Sequence, residues 1–176
     1  AASLAVASAL AGKRVLLVEA DLRRPSLAGR LGIESSPGLT DYLAGRAGPG
    51  DVLRTVSLGV DGSSVNGNGS AGEAAGRPAP QLVVITAGSP VPRPAELLAS
   101  QRLGRFVDEV AQSYDFVVFD SSPLLPVVDT LELVPRADGI VLCVRSGQTT
   151  RDQLQAARNA LGRLPAKPTG LIVTGV

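Results

Sequence analysis

The chain lacks histidine, tryptophan and methionine, and it has one cysteine among its 176 residues. Without histidine, catalytic triads built on an imidazole base and zinc sites with histidine ligands are excluded. A lone cysteine cannot form a disulfide within the chain. Because Cys143 lies in the apolar run GIVLCV, we predict that its thiol is buried in the core. Carboxylates, hydroxyls, arginines and backbone amides must therefore carry any chemistry.

Aromatic residues and net charge are also scarce. Aromatic side chains make up 3% of the chain, and the formal net charge is +1. These values provide neither a stacking platform nor a basic surface, so we expect no nucleic-acid partner. No apolar run approaches the roughly 20 residues that span a bilayer. The opening AASLAVASALAGKR has its positive charge after its apolar stretch, which favours a helix over a signal peptide.

Short apolar runs alternate with helical segments, which predicts an α/β fold with a mostly parallel sheet. Residues 59–80 are rich in Gly, Ser, Asn and Pro, and we interpret them as a disordered surface insertion within a single domain, 1–176. Leu103, Phe106, Val107 and Val110 have the spacing of an amphipathic helix. We predict strands at 15–18, 82–86, 116–119, 139–144 and 170–174, and helices at 1–11, 39–45, 51–56, 94–113 and around 154–161.

Polar residues follow several predicted strands, where ligands of open parallel sheets bind. Glu19 and Asp21 follow the first strand, and Asp120 ends the strand at 116–119. Two acidic strand ends that share one crevice predict a magnesium site serving a polyphosphate. Further candidates at strand ends are Arg23, Arg24, Ser121, Ser122, Arg145 and Ser146.

Two motifs carry this hypothesis. VLLVEADLRRP places two carboxylates beside two guanidinium groups that can pair with phosphate oxygens, although an ordinary solvated charge cluster explains it equally well by itself. FVVFDSSPLLPVVDT has an apolar strand followed directly by Asp120, which is the Walker B arrangement.

Together with PGLTDYLAG and AGSPVPRPAELLAS, these blocks resemble, in the same order, the cytoplasmic kinase domain of the bacterial tyrosine kinases (BY-kinases). That family regulates capsular and exopolysaccharide export and belongs to the MinD/ParA class of P-loop ATPases. The resemblance implies a P-loop NTPase-like three-layer sandwich that binds ATP and Mg²⁺.

The resemblance also implies roles for individual residues. Glu19 and Asp21 occupy the two acidic sites of the Walker A′ motif, with catalytic roles for both and magnesium coordination for Asp21. Asp120 would be the Walker B ligand of the metal. Arg23 and Arg24 match a basic pair that contacts phosphate or another subunit. Asp129 matches a downstream acidic residue, or it is simply a helix N-cap.

The chain departs from the family pattern at several positions. Glu19, Arg93 and Ser122 stand where aspartate, asparagine and proline are usual. No G-x-x-x-x-G-K-[ST] loop occurs, and Lys13 lacks the glycines needed to replace it. We therefore expect that the first strand and the phosphate loop are missing, as is the tyrosine-rich tail, and that these 176 residues alone show no measurable ATP turnover. Tyr42 and Tyr114 are interpreted as packing residues.

Three functions remain open: a tyrosine autokinase, a MinD/ParA-type ATPase switch, and a non-catalytic remnant that binds partners. The family resemblance implies a polysaccharide co-polymerase or chain-length-determinant membrane module as partner, fused or separate. It further implies a homo-oligomer in the intact protein, and a cytoplasmic location at the inner face of the plasma membrane.

Overall fold

The computed structural model describes residues 1–59, 79–125, 129–162 and 168–175. The chain divides into two compact units, Ala1–Ser122 and Pro123–Val176, and each is described by itself. The predicted insertion at 59–80 falls almost entirely outside the described residues, so its disorder stays a prediction. At its two ends, the N–H of Leu58 donates to the carbonyl of Pro80 at 2.9 Å.

The first unit is built on a four-stranded sheet. Its strands are β1 (Val15–Glu19), β2 (Arg54–Ser57), β3 (Gln81–Ile85) and β4 (Phe116–Asp120). They lie in the order β2-β3-β1-β4, with β1 parallel to both β3 and β4 and with β2 antiparallel to β3. The predicted α/β fold with a mostly parallel sheet is confirmed.

Helices surround this sheet, and the first of them is held closely against β1. Gly12, at a φ of 82°, ends the first helix in the left-handed conformation that favours glycine, as its position after an Ala-rich run predicted. A short connection then leads into β1, against which Ala5 and Ala9 of the helix pack. The helices are α1 (Ala2–Leu10), α2 (Leu27–Leu31), α3 (Leu39–Leu43), α4 (Pro49–Val52), α5 (Pro94–Leu98) and α6 (Gln101–Ser113).

The core lies on both faces of β1, whose five residues are all buried. Val15 and Leu17 pack with Ala5 and Ala9 of α1 on one face. Leu16 and Val18 point to the opposite face because side chains alternate along a strand, and they are fully buried as well. A strand covered on both faces is the arrangement that its continuous apolar sequence predicted.

Two helix predictions in this unit were wrong in their bounds. The predicted helix at 51–56 ends at Val52, and the chain continues as β2, because pairing with β3 overrides the weak local helix preference of residues that include Thr55 and Val56. The predicted helix at 94–113 is interrupted before Gln101. Ser100 is extended there and caps α6, its Oγ accepting from the N–H of Leu103 at 3.3 Å.

The second unit contains a parallel pair of strands, β5 (Ile140–Arg145) and β6 (Pro168–Thr174), and the helix α7 (Arg151–Leu161). The prediction that Cys143 is buried was wrong: the residue is exposed. Side chains alternate along β5, so Cys143 lies on the face opposite to the buried Val144. None of the helices in the described part of the chain combines the length and apolar character that a membrane crossing requires.

Candidate active site

The carboxyl ends of β1 and β4 meet at one edge of the sheet. The two strands pair in register from Val15 with Phe116 to Glu19 with Asp120, so both strands end together on an acidic residue. The carbonyl oxygen of Asp120 accepts from the N–H groups of Ala20 and Asp21, at 2.7 and 2.9 Å. The structure therefore brings together the acidic strand ends that the sequence predicted to share one crevice.

Asp21 lies in the turn that follows β1. Its carboxylate is half-engaged, meaning that one of its two oxygens accepts hydrogen bonds from the described residues. Oδ1 accepts from the backbone N–H of Arg23 at 3.3 Å and of Arg24 at 3.1 Å. No donor to Oδ2 is found among the described residues, and the side chain is partly exposed. Such a turn holds the carboxylate in one orientation while leaving one oxygen available to a cation or a proton.

Asp120 is partly buried, and its backbone carbonyl, not its side chain, holds the turn that carries Asp21. Arg23 and Arg24 are exposed at the same turn. Arginines on a turn that carries a carboxylate are suited to a phosphate ester that carries a divalent cation.

Glu19 is placed differently from the other two carboxylates. It is 2% exposed, and both its oxygens accept from backbone amides. Oε1 accepts from the N–H groups of Ser26 and Leu27, and Oε2 accepts from the N–H of Ala87 at 3.1 Å. The catalytic role that the family resemblance implies for Glu19 stays a prediction, but its hydrogen-bonding capacity is largely taken up by the protein itself.

The donor set fits magnesium held together with a nucleotide. Nowhere in the described residues do three or more acidic, cysteine or histidine side chains form a group that could hold a metal ion. Mg²⁺ keeps several water ligands and is commonly held by one or two carboxylates plus substrate phosphates. Asp21 and Asp120 can supply those carboxylates.

A second polar cluster, on Asp41 in PGLTDYLAG, was missed as a site of interest by the sequence analysis. Asp41 is 5% exposed. Its Oδ2 accepts from the N–H groups of Gly38 at 3.0 Å and Ser89 at 2.9 Å, and its Oδ1 accepts from Nη2 of Arg46 at 3.0 Å. Asp41 thus ties the PGLTDYLAG block to the AGSP turn. The one sequence signal was an aspartate three residues after a glycine, which is a capping pattern.

Asp41 makes the stability of the first unit depend on pH. Burial raises the pKa of the Asp41 carboxyl, but hydrogen bonds from Ser89, Gly38 and Arg46 outweigh it and leave the pKa well below its ordinary value. A carboxyl whose pKa is lower in the folded state stabilises the fold above its unfolded pKa, and this contribution is lost as the pH falls below about 4.

We predict that Asp41→Asn lowers the free energy of unfolding by roughly 2 kcal/mol at pH 7, because buried amides lose a charged acceptor. The loss relative to the natural chain should shrink between pH 5 and pH 3, as measured by urea denaturation. Asp51→Asn is the matched control, since Asp51 also accepts from a glycine N–H but is exposed. An equal loss in both variants, or a loss independent of pH, would contradict the role of Asp41.

The two tyrosines behave as packing residues, as predicted. Tyr42 is 6% exposed, and its ring lies 5.5 Å from that of Phe106. The guanidinium carbon of Arg102 lies 4.9 Å from the centre of the Tyr42 ring, a cation–π contact. Tyr114 is partly buried, and burial raises the pKa of its hydroxyl.

Comparison with known proteins agrees with this geometry. No family model matches the chain. The tyrosine-protein kinase YwqD of Bacillus subtilis is 35% identical over 175 residues, which cover 99% of this chain and 65% of YwqD. The chain therefore spans slightly less than two thirds of the length of that relative.

Solved structures of a bacterial tyrosine kinase domain and of MinD share the fold of this chain. The kinase domain of the Escherichia coli tyrosine kinase ETK superposes with a TM-score of 0.81 at 26% identity, covering 98% of this chain and 60% of that one. The MinD cell division protein of Aquifex aeolicus has the same fold, with a TM-score of 0.60 at 21% identity, covering 97% of this chain and 59% of that one. The chain is therefore similar in sequence to a bacterial tyrosine kinase, and it shares its fold with a bacterial tyrosine kinase domain and with MinD.

Proposed function

We propose that this chain is the nucleotide-binding part of a protein-tyrosine autokinase that uses ATP and Mg²⁺ and regulates the synthesis and export of capsular polysaccharide or exopolysaccharide. The observation that carries the proposal is the half-engaged carboxylate of Asp21, held by its own turn beside Asp120 where β1 and β4 end together. Two carboxylates at this edge, with a pair of arginines on the same turn, match the needs of phosphoryl transfer.

The proposed reaction divides its tasks between the carboxylates and the arginines. Asp21 and Asp120 would hold Mg²⁺, partly through water. Asp21 would take up the proton of the tyrosine hydroxyl as its oxygen bonds to the γ-phosphorus of ATP, while the bond from that phosphorus to the bridging oxygen breaks and ADP leaves. Arg23 and Arg24 bind phosphate oxygens. The metal, when bound, neutralises charge on the phosphates. We assign no residue of this chain to the cradle of the β- and γ-phosphates, because its sequence contains no G-x-x-x-x-G-K-[ST] loop.

The proposal extends to partners and location. A kinase of this family is expected to work at the inner face of the plasma membrane, through a fused or separate co-polymerase module, and as a homo-oligomer. The net charge of +1 supports the absence of a nucleic-acid partner.

Phosphate transfer to tyrosine tests this function directly. The protein encoded by the complete gene is incubated with labelled ATP and Mg²⁺, and phosphotyrosine is measured by mass spectrometry. We expect labelled tyrosine, and we predict that Asp120→Asn lowers the rate by about 100-fold or more, because removing a charge that stabilises the transition state commonly costs that much. The backbone carbonyl that holds the turn remains in this variant.

The matched control is Asp108→Asn, since Asp108 is exposed on α6 and lies outside the proposed site. Its rate should equal that of the natural protein. ATP hydrolysis without phosphotyrosine would contradict the kinase and support the MinD/ParA-type switch. Absence of nucleotide binding by the complete protein would support a non-catalytic remnant.

A further inference from the structure

Glu19 joins three separate segments of the first unit through one buried side chain. It ends β1, its Oε1 binds the N–H groups of Ser26 and Leu27 at the start of α2, and its Oε2 binds the N–H of Ala87 after β3. Leu27 is the first residue of α2, and the side chain of its N-cap residue, Ser26, makes no capping hydrogen bond. Glu19 therefore supplies the acceptor that the first N–H groups of the helix lack.

The hydrogen bonds to Ser26 and Leu27 close a loop that contains the proposed catalytic residues. Residues 20–25 leave β1 at Glu19 and return to the carboxylate of the same residue at Ser26. Within this loop, Asp21 binds the amides of Arg23 and Arg24, and the carbonyl of Asp120 binds the amides of Ala20 and Asp21. The orientation of Asp21 thus depends on a loop whose far end Glu19 holds.

The hydrogen bond to Ala87 connects this loop to the second polar cluster. The carbonyl of Ala87 accepts from the N–H of Thr40 at 2.9 Å, and the next residues lead to Ser89, whose N–H binds Asp41. A continuous set of hydrogen bonds therefore runs from Asp41 through the turn after β3 to Glu19. The carboxylate of Glu19 thus binds the start of α2, just after ADLRRP, and the AGSP segment, which in turn binds PGLTDYLAG through Thr40 and Asp41.

We propose that Glu19 is a positioning residue that holds the Asp21 loop in place, and that it is not the proton acceptor or a metal ligand. This inference rests on the proposed function for the meaning of the Asp21 loop. The length of the side chain is essential, because glutamate reaches the start of α2 and the turn after β3 at once. An aspartate, shorter by one methylene, cannot span both.

The variants Glu19→Asp and Glu19→Gln of the complete protein separate the two roles. A positioning role predicts that both variants lose activity to a similar extent, about 100-fold, since a displacement of about 1 Å at a catalytic centre costs that much. Aspartate keeps the charge but not the reach. Glutamine keeps one acceptor oxygen, but its side-chain NH2 group would face a backbone N–H, so the hydrogen bond at that position is lost. Both should keep the pH profile of the residual activity unchanged.

Hydrogen exchange gives a test that does not depend on activity. In both variants, at least one of the amides of Ser26, Leu27 and Ala87 should exchange at least about 10-fold faster than in the natural protein, because its acceptor is gone. Affinity for Mg·ADP, measured by calorimetry, should fall in the same variants. Glu34→Gln is the control, since Glu34 is largely exposed and its carboxylate lies 3.9 Å from a guanidinium nitrogen of Arg54, too far for a hydrogen bond.

The outcomes are distinguishable. Near-normal activity of Glu19→Asp beside an inactive Glu19→Gln whose amides stay protected would overturn the inference and make Glu19 the proton acceptor or a metal ligand. Loss of the basic or acidic limb of the pH profile in Glu19→Gln would do the same. If the natural protein transfers no phosphate to tyrosine, the proposed function fails, whereas faster exchange at Ser26, Leu27 and Ala87 would still support the positioning role.

Discussion

Replacing Asp21 by alanine in the complete protein is expected to lower tyrosine autophosphorylation by about 100-fold or more, because a group that moves a proton in the transition state contributes that much. The structure gives Asp21 two separable features. Its Oδ1 holds the turn by accepting from the amides of Arg23 and Arg24, and its Oδ2 is the oxygen available for chemistry. Alanine removes both.

Asparagine separates these features. Asp21→Asn keeps an oxygen that accepts from the two amides, but it loses the negative charge needed for magnesium and the ability to take a proton. We therefore expect Asp21→Asn to be nearly as inactive as Asp21→Ala, while its melting temperature stays close to that of the natural protein. Phosphotyrosine formation and thermal unfolding are measured on the same preparations.

Asp108→Ala is the control for this pair, because Asp108 is an exposed aspartate on α6. It should retain full activity. A fully active Asp21→Asn beside an inactive Asp21→Ala would assign Asp21 to the turn alone and would contradict its proposed part in metal binding and proton transfer. A fully active Asp21→Ala would remove Asp21 from the site altogether.

Gly38→Ala is expected to lower the free energy of unfolding by about 3 kcal/mol or more. A methyl group at this position would lie 2.5 Å from the backbone nitrogen of Gly88 and 2.6 Å from its Cα, and closer still to the carbonyl oxygen of Thr86. The backbone of residue 38 is extended, which any residue adopts. The cost therefore comes from space alone.

The neighbouring atoms cannot move aside easily. Leu39 and Thr40 donate to the carbonyls of Thr86 and Ala87, and Gly88 itself has a φ of 89°. Separating the two segments would break these hydrogen bonds. For a chain of 176 residues, a loss of about 3 kcal/mol corresponds to a fall in melting temperature of roughly 6–12 °C.

Gly29→Ala provides the matched control for this variant. Gly29 lies inside α2, and a methyl group there would meet nothing within 4 Å. Alanine in a helix interior is favoured over glycine by about 0.5–1 kcal/mol, so we expect a small gain in stability. Thermal and urea unfolding of the two variants should move in opposite directions. Equal stability of both would contradict the close approach at Gly38.

Predictions from local patterns were confirmed where a single segment carries its own signal. The continuous apolar run before Glu19 predicted a strand buried on both faces, and the apolar run ending in Asp120 predicted its neighbour. The helix ended by Gly12 was predicted from alanine content and one glycine. These elements depend on neighbours within a few residues, which a sequence displays directly.

Predictions failed where distant segments decide the local conformation. Residues 54–57 form a strand because β3 lies beside them, and Cys143 is exposed because its strand presents the opposite face to the core. In both cases the local pattern was compatible with two conformations, and tertiary packing selected one. The break before Gln101 has a local cause, because the serine cap lies inside an otherwise periodic run.

By itself, the sequence determined the alternation of buried strands with helices, apart from β2 and α2, and the placement of acidic residues at the ends of β1 and β4. Apolar runs and the residues that end them are local signals. Only the tertiary structure decided how the carboxylates of Glu19, Asp41 and Asp21 differ in their hydrogen-bond partners. Glu19 binds an amide 68 residues away, and Asp41 binds one 48 residues away, whereas Asp21 keeps one oxygen available. Hydrogen-bond partners so far apart meet only when the sheet has formed.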